Sequence, residues 1–132
     1  YEPRKVSAVA AKNEDGVDTM ESIQLQYENG SFASITGGLS CERQASLYIH
    51  GTRGRILMEQ EQFFKAQRAV LLDWSNQPIE TFEVPFAVNG YEYEAREAMD
   101  CVLRGETESA LVPMKETIEV IRLMEQCARQ WK

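Results

Sequence analysis

Histidine, basic charge and long apolar runs are all scarce in this sequence, and each shortage excludes a class of function. A single histidine, His50, leaves little material for a metal site or a catalytic proton relay. Lysine and arginine number 14 against 21 acidic residues, a net charge of −7, and no basic stripe suited to nucleic acid appears. No apolar run approaches the roughly 20 residues that a membrane-spanning helix needs.

Cysteine pairs and glycine-rich nucleotide motifs are missing as well. Cys41, Cys101 and Cys127 are an odd number at wide spacing, which favours buried thiols in a cytoplasmic protein over disulfides or a zinc site. No Gly-x-Gly-x-x-Gly follows a strand, and the 51–54 segment Gly-Thr-Arg-Gly lacks the ending of a phosphate loop. We therefore expect no cofactor bound to this chain alone.

The first two thirds of the chain predict strands. Residues 23–28 alternate between apolar and polar, and Asn29-Gly30 predicts a two-residue hairpin turn that places Tyr27 opposite Phe32. In that register both faces of the hairpin are partly apolar, which favours helices on one side of the sheet and a partner on the other. Residues 64–72 are predicted as a later strand, and short connections make the pairing mainly antiparallel.

After Pro85 the apolar period changes to that of a helix. Asn89 and Glu92 resemble an N-terminal capping box, Gly105 predicts a stop, and a second helix is predicted to begin near Pro113. Strands first and helices last predict an α+β fold: an open, mainly antiparallel sheet of about six strands with two C-terminal helices packed on one face. The first helix has one apolar stripe, formed by Tyr91, Ala95, Ala98, Met99, Val102 and Leu103.

The sequence offers few candidate functional residues. Its acidic cluster in the first helix lies mostly outside the apolar stripe, which is typical of a solvated surface, and the two helical cysteines have no base near them in sequence. No catalytic, cofactor-binding or metal-binding residue is therefore assigned. The remaining candidates are aromatic residues near strand ends and turns, where such side chains build pockets or interfaces as often as core: Phe63, Phe64, Trp74 and Phe86.

Several stretches, taken in order, resemble the C-terminal domain of the Gfo/Idh/MocA oxidoreductases. The Phe63-Phe64 region and the Tyr-Glu-Ala start of the first helix are most similar to the dimeric dihydrodiol dehydrogenase and sugar dehydrogenase branch. The resemblance covers essentially the whole chain. Its motifs are Val6-Ser7-Ala8, residues 23–33, residues 49–56, Gly90-Tyr91-Glu92-Tyr93-Glu94-Ala95, residues 101–109, and the helix from Pro113 to Trp131.

The resemblance implies that this chain and a separate cofactor-binding domain have different roles in one enzyme. In the family a Rossmann domain carries NAD or NADP, and a Glu-Lys-Pro segment that this sequence lacks supplies the catalytic lysine. We therefore expect residues 1–132 to be one substrate-side and oligomerisation domain, inactive alone, of a cytoplasmic enzyme that acts on a sugar, polyol or dihydrodiol. A homodimer or higher homo-oligomer is expected through the free sheet face, with Phe64 and Phe86 at or near the interface.

Two alternatives from other classes stay open at this point. One is a stand-alone module that binds a small ligand with a helix laid on a sheet. The other is a purely structural dimerisation module of the same architecture. A cofactor titration separates them from an oxidoreductase, because only the complete oxidoreductase is expected to bind a nicotinamide cofactor.

Overall fold

The computed structural model describes residues 2–40, 45–60 and 65–131, and these form seven strands followed by two helices. Every strand pair among them is antiparallel, so the predicted α+β class is confirmed. The elements are β1 (Lys5–Lys12), β2 (Asp18–Gln26), β3 (Phe32–Gly38), β4 (Ala45–Gly51), β5 (Gly54–Gln60), β6 (Arg68–Leu72), β7 (Pro78–Glu83), α1 (Tyr91–Arg104) and α2 (Met114–Ala128).

The described strands pair as two sheets, not as one ladder of about six strands. One sheet has the order β1-β2-β3 and the other the order β4-β5-β6-β7. The three-stranded sheet and α2 belong to one compact unit, whereas the four-stranded sheet and α1 belong to a second. The strand predicted over residues 64–72 begins at Arg68, and residues 65–67 precede it outside the sheet.

The β2–β3 hairpin differs from its predicted register by one residue. Gln26 pairs with Phe32 because the turn contains three residues, 28–30, where two were predicted. Gly30 takes a left-handed φ of 81°, as the last residue of such turns does, and the Asn29 side chain accepts a hydrogen bond from the Ser31 N–H. Because of this shift, Ala33 and Ile35 lie on the same face as Leu25 and Ile23, and not on the face of Gln24 and Gln26 as predicted.

The corrected register gives the three-stranded sheet one apolar face and one polar face. Val6, Leu25 and Ala33 lie side by side on the apolar face, next to the row formed by Ala8 and Ile23. Leu25 and Ala8 are buried, so this face holds the core of the unit. The polar face carries Lys5, Ser7, Ser22, Gln24, Gln26, Ser34 and Thr36, with exposed Val9, Met20 and Phe32 among them.

Helix α2 packs against β1 and closes the edge of the three-stranded sheet. The Gln130 side chain, just after α2, accepts a hydrogen bond from the Ala8 N–H at 3.0 Å and donates one to the Val6 carbonyl at 3.4 Å. These bonds satisfy backbone groups that an edge strand would otherwise leave unpaired. Cys127, on the same side of α2, is almost completely buried.

The four-stranded sheet has one face on which mainly apolar side chains are exposed or half-buried. Cross-strand pairing places aliphatic and aromatic side chains together there, and most of them are exposed or half-buried. We call this the apolar face, and it consists of Leu47, Ile49, Ile56, Met58, Ala69, Leu71 and Phe82. The other face, which we call the Arg55 face, carries Tyr48, His50, Arg55, Leu57, Val70, Leu72 and Thr81.

The helix ends follow the sequence signals closely. Gly105 ends α1 in the left-handed conformation, as predicted, and α2 begins directly after Pro113. The Glu108 carboxylate accepts a hydrogen bond from the Met114 N–H at 2.7 Å, so Glu108 caps the start of α2. Most of the predicted apolar stripe of α1 is exposed, and the buried side of this helix is centred on Cys101.

Candidate functional site

Three aromatic side chains surround the start of α1. The Phe86 ring lies 6.3 Å from the Tyr93 ring, measured between centroids, at an interplanar angle of 58°. On another side of the helix, the Lys65 ammonium lies 4.6 Å from the centre of the Tyr91 ring, a distance suited to a cation–π contact. We call Phe86 and Tyr93, whose rings are in contact, the aromatic cluster. Phe86 is half-buried, while both tyrosines remain exposed, so the cluster presents rings and a hydroxyl to solvent.

Close packing fixes Phe86 against the backbone of the helix start. A Cβ atom at Gly90 would lie only 3.2 Å from a carbon of the Phe86 ring, so the ring uses the space that glycine leaves. Gly90 also has a φ of 93°, which glycine adopts without strain. The Phe86 N–H donates to the Gln67 side-chain oxygen at 3.0 Å, which ties this connection to the start of β6.

The Glu92 carboxylate holds the turn that precedes α1. It accepts hydrogen bonds from the N–H groups of Val88, Asn89 and Gly90, at 2.9, 3.1 and 2.6 Å. The predicted reach of Glu92 back to Asn89 is therefore confirmed. The helix cap is Gly90, however, and the Asn89 side chain accepts from the Tyr91 N–H. The cap is therefore Gly90, in the left-handed conformation, one residue after the predicted cap Asn89.

The same hydrogen bonds set the ionisation of Glu92. Desolvation raises the pKa of Glu92, but hydrogen bonds from the backbone N–H groups of residues 88–90 and of Glu92 itself outweigh it and lower the pKa to about 2. The carboxylate therefore stays charged at any physiological pH. It is suited to holding the loop, and it is unsuited to proton transfer near neutrality.

Trp74 and the two phenylalanines of the 61–64 segment stand apart from this cluster in what the structure describes. Trp74 lies in the β6–β7 turn with 74% of its surface exposed, beside Asp73, which accepts hydrogen bonds from the N–H groups of Ser75 and Gln77. Phe63 and Phe64 lie outside the described residues. Of the four predicted candidates, Phe86 is therefore the one that the described geometry places in a cluster.

Sequence reasoning missed Tyr91 and Tyr93 as candidate site residues. Tyr91 was assigned to the buried stripe of α1, yet half of its surface is exposed because the helix buries a different side. The signal that could have found both tyrosines is their position in the first turn of a helix directly after a left-handed glycine. Side chains at such an entry project beyond the helix body.

The helical cysteines are free and buried, as their spacing predicts, whereas Cys41 lies outside the described residues. Burial, and then the negative charge of Glu21, raise the pKa of the Cys127 thiol. Cys127 therefore favours the protonated form, which is a poor nucleophile. Cys101 lies between Glu97 and Arg104 on α1, at hydrogen-bonding distance from both side chains.

The two helix starts do not fit the phosphates of a dinucleotide. A pyrophosphate binds where the first N–H groups of a helix are open and the local charge is positive. Here Glu92 occupies the N–H groups before α1, and Glu108 occupies the first N–H of α2. Both positions already carry a carboxylate, which would repel a phosphate. Neither helix start therefore fits the pyrophosphate of a bound NAD or NADP.

Within residues 2–40, 45–60 and 65–131, no group of three or more His, Cys, Asp or Glu side chains is placed to hold a metal ion. In the same ranges, neither helix is long and apolar enough to span a bilayer.

Comparison with known proteins begins at the level of the fold. The aldose-aldose oxidoreductase from Caulobacter crescentus, solved as a complex with glycerol, superposes with a TM-score of 0.78 at 18% identity. The match covers 98% of this chain and 39% of that structure. The fold is thus that of an α+β domain found within an oxidoreductase.

The sequence comparisons define the family. Residues 2–132 match the family model described as the C-terminal alpha/beta domain of the Gfo/Idh/MocA oxidoreductase family, and the chain belongs to that family. The trans-1,2-dihydrobenzene-1,2-diol dehydrogenase of Mus musculus is 31% identical over 96% of this chain and 39% of its own length. The Bos taurus protein of the same name is 27% identical over 94% of the chain and 38% of its own length. The chain thus spans about two fifths of these relatives.

Proposed function

We propose that this chain is the substrate-side and dimerisation domain of an NAD(P)-dependent oxidoreductase that transfers hydride to or from a sugar, polyol or dihydrodiol. The observation that carries the proposal is the family match over residues 2–132, in a chain that spans 39% of a dihydrodiol dehydrogenase. The remaining three fifths of such a relative leave room for a cofactor-binding domain. Residues 1–132 are then a single C-terminal domain in this proposal.

The cofactor belongs, in this proposal, to a part of the enzyme outside these residues. Family members generally use NAD or NADP, whose chemistry is hydride transfer. The sequence lacks the glycine-rich fingerprint, and Glu92 and Glu108 occupy the two helix starts. This chain's own residues would bind and orient the substrate and exclude water from it. Free, buried Cys101 and Cys127 support a reducing compartment, and we assign the enzyme to the cytoplasm.

The aromatic cluster is the part of the chain that we assign to the substrate side. Exposed rings next to a phenolic hydroxyl suit a ligand that has apolar carbon faces and hydroxyl groups, as sugars and dihydrodiols do. Phe86 is held in place by Gly90, so its ring is preorganised. Phe63, Phe64 and Trp74 remain candidates for the substrate-side surface or for an interface.

The apolar face of the four-stranded sheet is the surface that we assign to dimerisation. Ile49 and Phe82 each expose about half of their surface there, at 51% and 52%. Contiguous apolar patches of this kind are uncommon on monomers and mark interaction sites. Pairing with the same face of a second copy would form a twofold interface, and a stable one would bury above ~1,000 Å² in total. The surface proposed here differs from the one expected from sequence. That expectation rested on the β2–β3 hairpin, whose observed register leaves one face mostly polar.

A cofactor titration tests the assignment of roles. We expect the complete protein that carries this chain to bind NADPH or NADH, seen as enhanced and blue-shifted nicotinamide fluorescence. The 132-residue chain alone should give no change at the same concentrations. Binding by the isolated chain would contradict this assignment of roles. Failure of the complete protein to bind either cofactor would contradict the oxidoreductase proposal and favour a structural dimerisation module.

Substitution of Phe86 tests the substrate-side assignment in the complete protein. We expect Phe86→Leu, which keeps an apolar group against Gly90, to raise KM for the diol or sugar substrate about fivefold or more. The matched control is Phe32→Leu, which removes an exposed ring from the polar face of the three-stranded sheet. Equal KM values for the two variants, with unchanged circular dichroism, would show that Phe86 has no role in substrate binding.

A further inference from the structure

The Arg55 face of the four-stranded sheet carries a cationic and aromatic group that the proposed function does not use. His50 of β4 pairs directly with Arg55 of β5, so their side chains are neighbours on one face. Tyr48 lies two residues before His50 and therefore projects to the same face. The three side chains thus occupy adjacent positions on two paired strands, and a two-residue turn fixes their register.

Ring contacts hold these side chains in one arrangement. The Tyr48 and His50 rings stack with centroids 6.0 Å apart and an interplanar angle of 18°. The guanidinium carbon of Arg55 lies 5.6 Å from the centre of the Tyr48 ring. Stacking of this kind limits the rotamers of a long arginine side chain, so less conformational entropy is lost when its N–H groups bind an acceptor.

One donor of Arg55 is buried without an acceptor. Its Nε atom is inaccessible to solvent and has no hydrogen-bond partner among the residues that the structure describes. Among the acidic side chains that the structure describes, none forms an ion pair with Arg55 either. The buried Nε–H, whose cross-strand neighbour Leu72 is buried and apolar, is therefore closed to a ligand, and the terminal N–H groups of the guanidinium are the remaining donors of Arg55.

We propose that Arg55, His50 and Tyr48 form a binding site for the oxyanion of a small molecule, a carboxylate or a phosphate. Such a group has two oxygens spaced to accept from the terminal N–H groups of one guanidinium at once. Exposed His50 and half-exposed Tyr48 supply ring N–H and hydroxyl donors beside it. With a chain charge of −7, anions are otherwise repelled, so binding must depend on these local groups.

The first test is a titration of the full 132-residue chain with inorganic phosphate, followed by ¹H–¹⁵N NMR at constant ionic strength. We expect saturable shifts confined to the β4–β5 hairpin, and these should include the terminal guanidinium N–H signals of Arg55. Parallel titrations with methyl phosphate and with acetate distinguish a phosphate ligand from a carboxylate ligand. Shifts that follow chloride equally, or that spread over all surface lysines and arginines without saturation, would overturn the proposal.

Charge-matched variants make the second test. We expect Arg55→Gln to weaken binding of the preferred anion at least tenfold, whereas Arg53→Gln should change it less than twofold. Arg53 is exposed in the turn of the same hairpin and loses the same charge. Arg55→Lys keeps the charge but loses the two-pronged donor, and it should also bind several-fold more weakly. Equal losses for the Arg53 and Arg55 variants would reduce the effect to net charge and refute the site.

Discussion

The two sheets of this protein are built from the same antiparallel pairing but differ in what their exposed faces carry. In the three-stranded sheet the aliphatic residues gather on the face that contains Leu25, which is only 4% exposed, while serines, threonine and glutamines cover the other face. In the four-stranded sheet one face carries mainly aliphatic and aromatic residues, with Glu80 beside Leu71, and Leu47 on this face is 45% exposed. The exposed face of the first sheet is thus mostly polar, whereas the apolar face of the second is open to solvent.

This difference separates residues that stabilise the chain from residues that are available to a partner. Burial of an aliphatic side chain contributes about 1.5–3 kcal/mol, so the Leu25 face contributes to folding. Half-exposed residues gain much less of that energy within one copy. Burying their exposed apolar surface against a second copy would gain the remaining free energy. For this reason we place the dimer interface on the four-stranded sheet.

The largest effect is expected from truncating matched leucines of the two sheets. Leu25→Ala should lower the free energy of unfolding by about 2–5 kcal/mol, because it removes packed methyl groups and leaves a cavity. Leu47→Ala should cost less than about 1 kcal/mol at protein concentrations low enough to keep the chain monomeric. Urea unfolding followed by circular dichroism measures both. Similar losses for the two variants would mean that the exposed face is as well packed as the core.

A smaller loss is expected where the edge of the three-stranded sheet is sealed. Gln130→Ala removes the side chain that bonds to the backbone of Ala8 and Val6, which should cost about 1 kcal/mol and speed hydrogen exchange of the Ala8 amide. Gln126→Ala is the matched control, since that side chain is exposed on α2. Unchanged exchange at Ala8 in the Gln130 variant would show that another group closes this edge.

The smallest effect is local to the helix start of the second unit and depends on pH. The folded pKa of Glu92, about 2, lies below that of an unfolded glutamate, roughly 4.3. The contribution of Glu92 is therefore complete above about pH 4.3 and is lost as the pH falls toward 2. Glu92→Gln should remove this acid dependence and reduce amide protection of residues 88–90 several-fold. Glu94→Gln, in the same helical turn, should leave both unchanged; equal behaviour of the two variants would contradict the role of Glu92.

Local signals in the sequence predicted much of the fold. The alternation of β2, the reversal at Gly51–Gly54 and the helix stop at Gly105 are each set by a few neighbouring residues, and all three are present. The hairpin register was wrong because Asn29-Gly30 fits turns of two and of three residues, and the choice depends on packing of Leu25 and Ala33 that local chemistry does not specify. The division into two sheets depends on pairing between distant strands, which no local pattern encodes.

The candidate site was predictable only in part. Phe86 was identified because it follows a strand end, but Tyr91 and Tyr93 were not, since helical periodicity describes spacing and not which side a helix buries. The grouping of Tyr48, His50 and Arg55 requires the β4–β5 register, which brings residues from two strands together. In the proposed function the reactive groups lie in a different part of the polypeptide, so these residues carry no signal for them.

Sedimentation velocity across a concentration series tests the difference between the two sheets most directly. We expect the chain to form dimers as its concentration rises, and we expect Ile49→Lys, on the apolar face of the four-stranded sheet, to keep it monomeric. Val9→Lys, at a residue that is 65% exposed on the polar face of the three-stranded sheet, should dimerise like the wild type. A wild-type chain that stays monomeric at high concentration, or a Val9 variant that dissociates as fully as the Ile49 variant, would contradict the account.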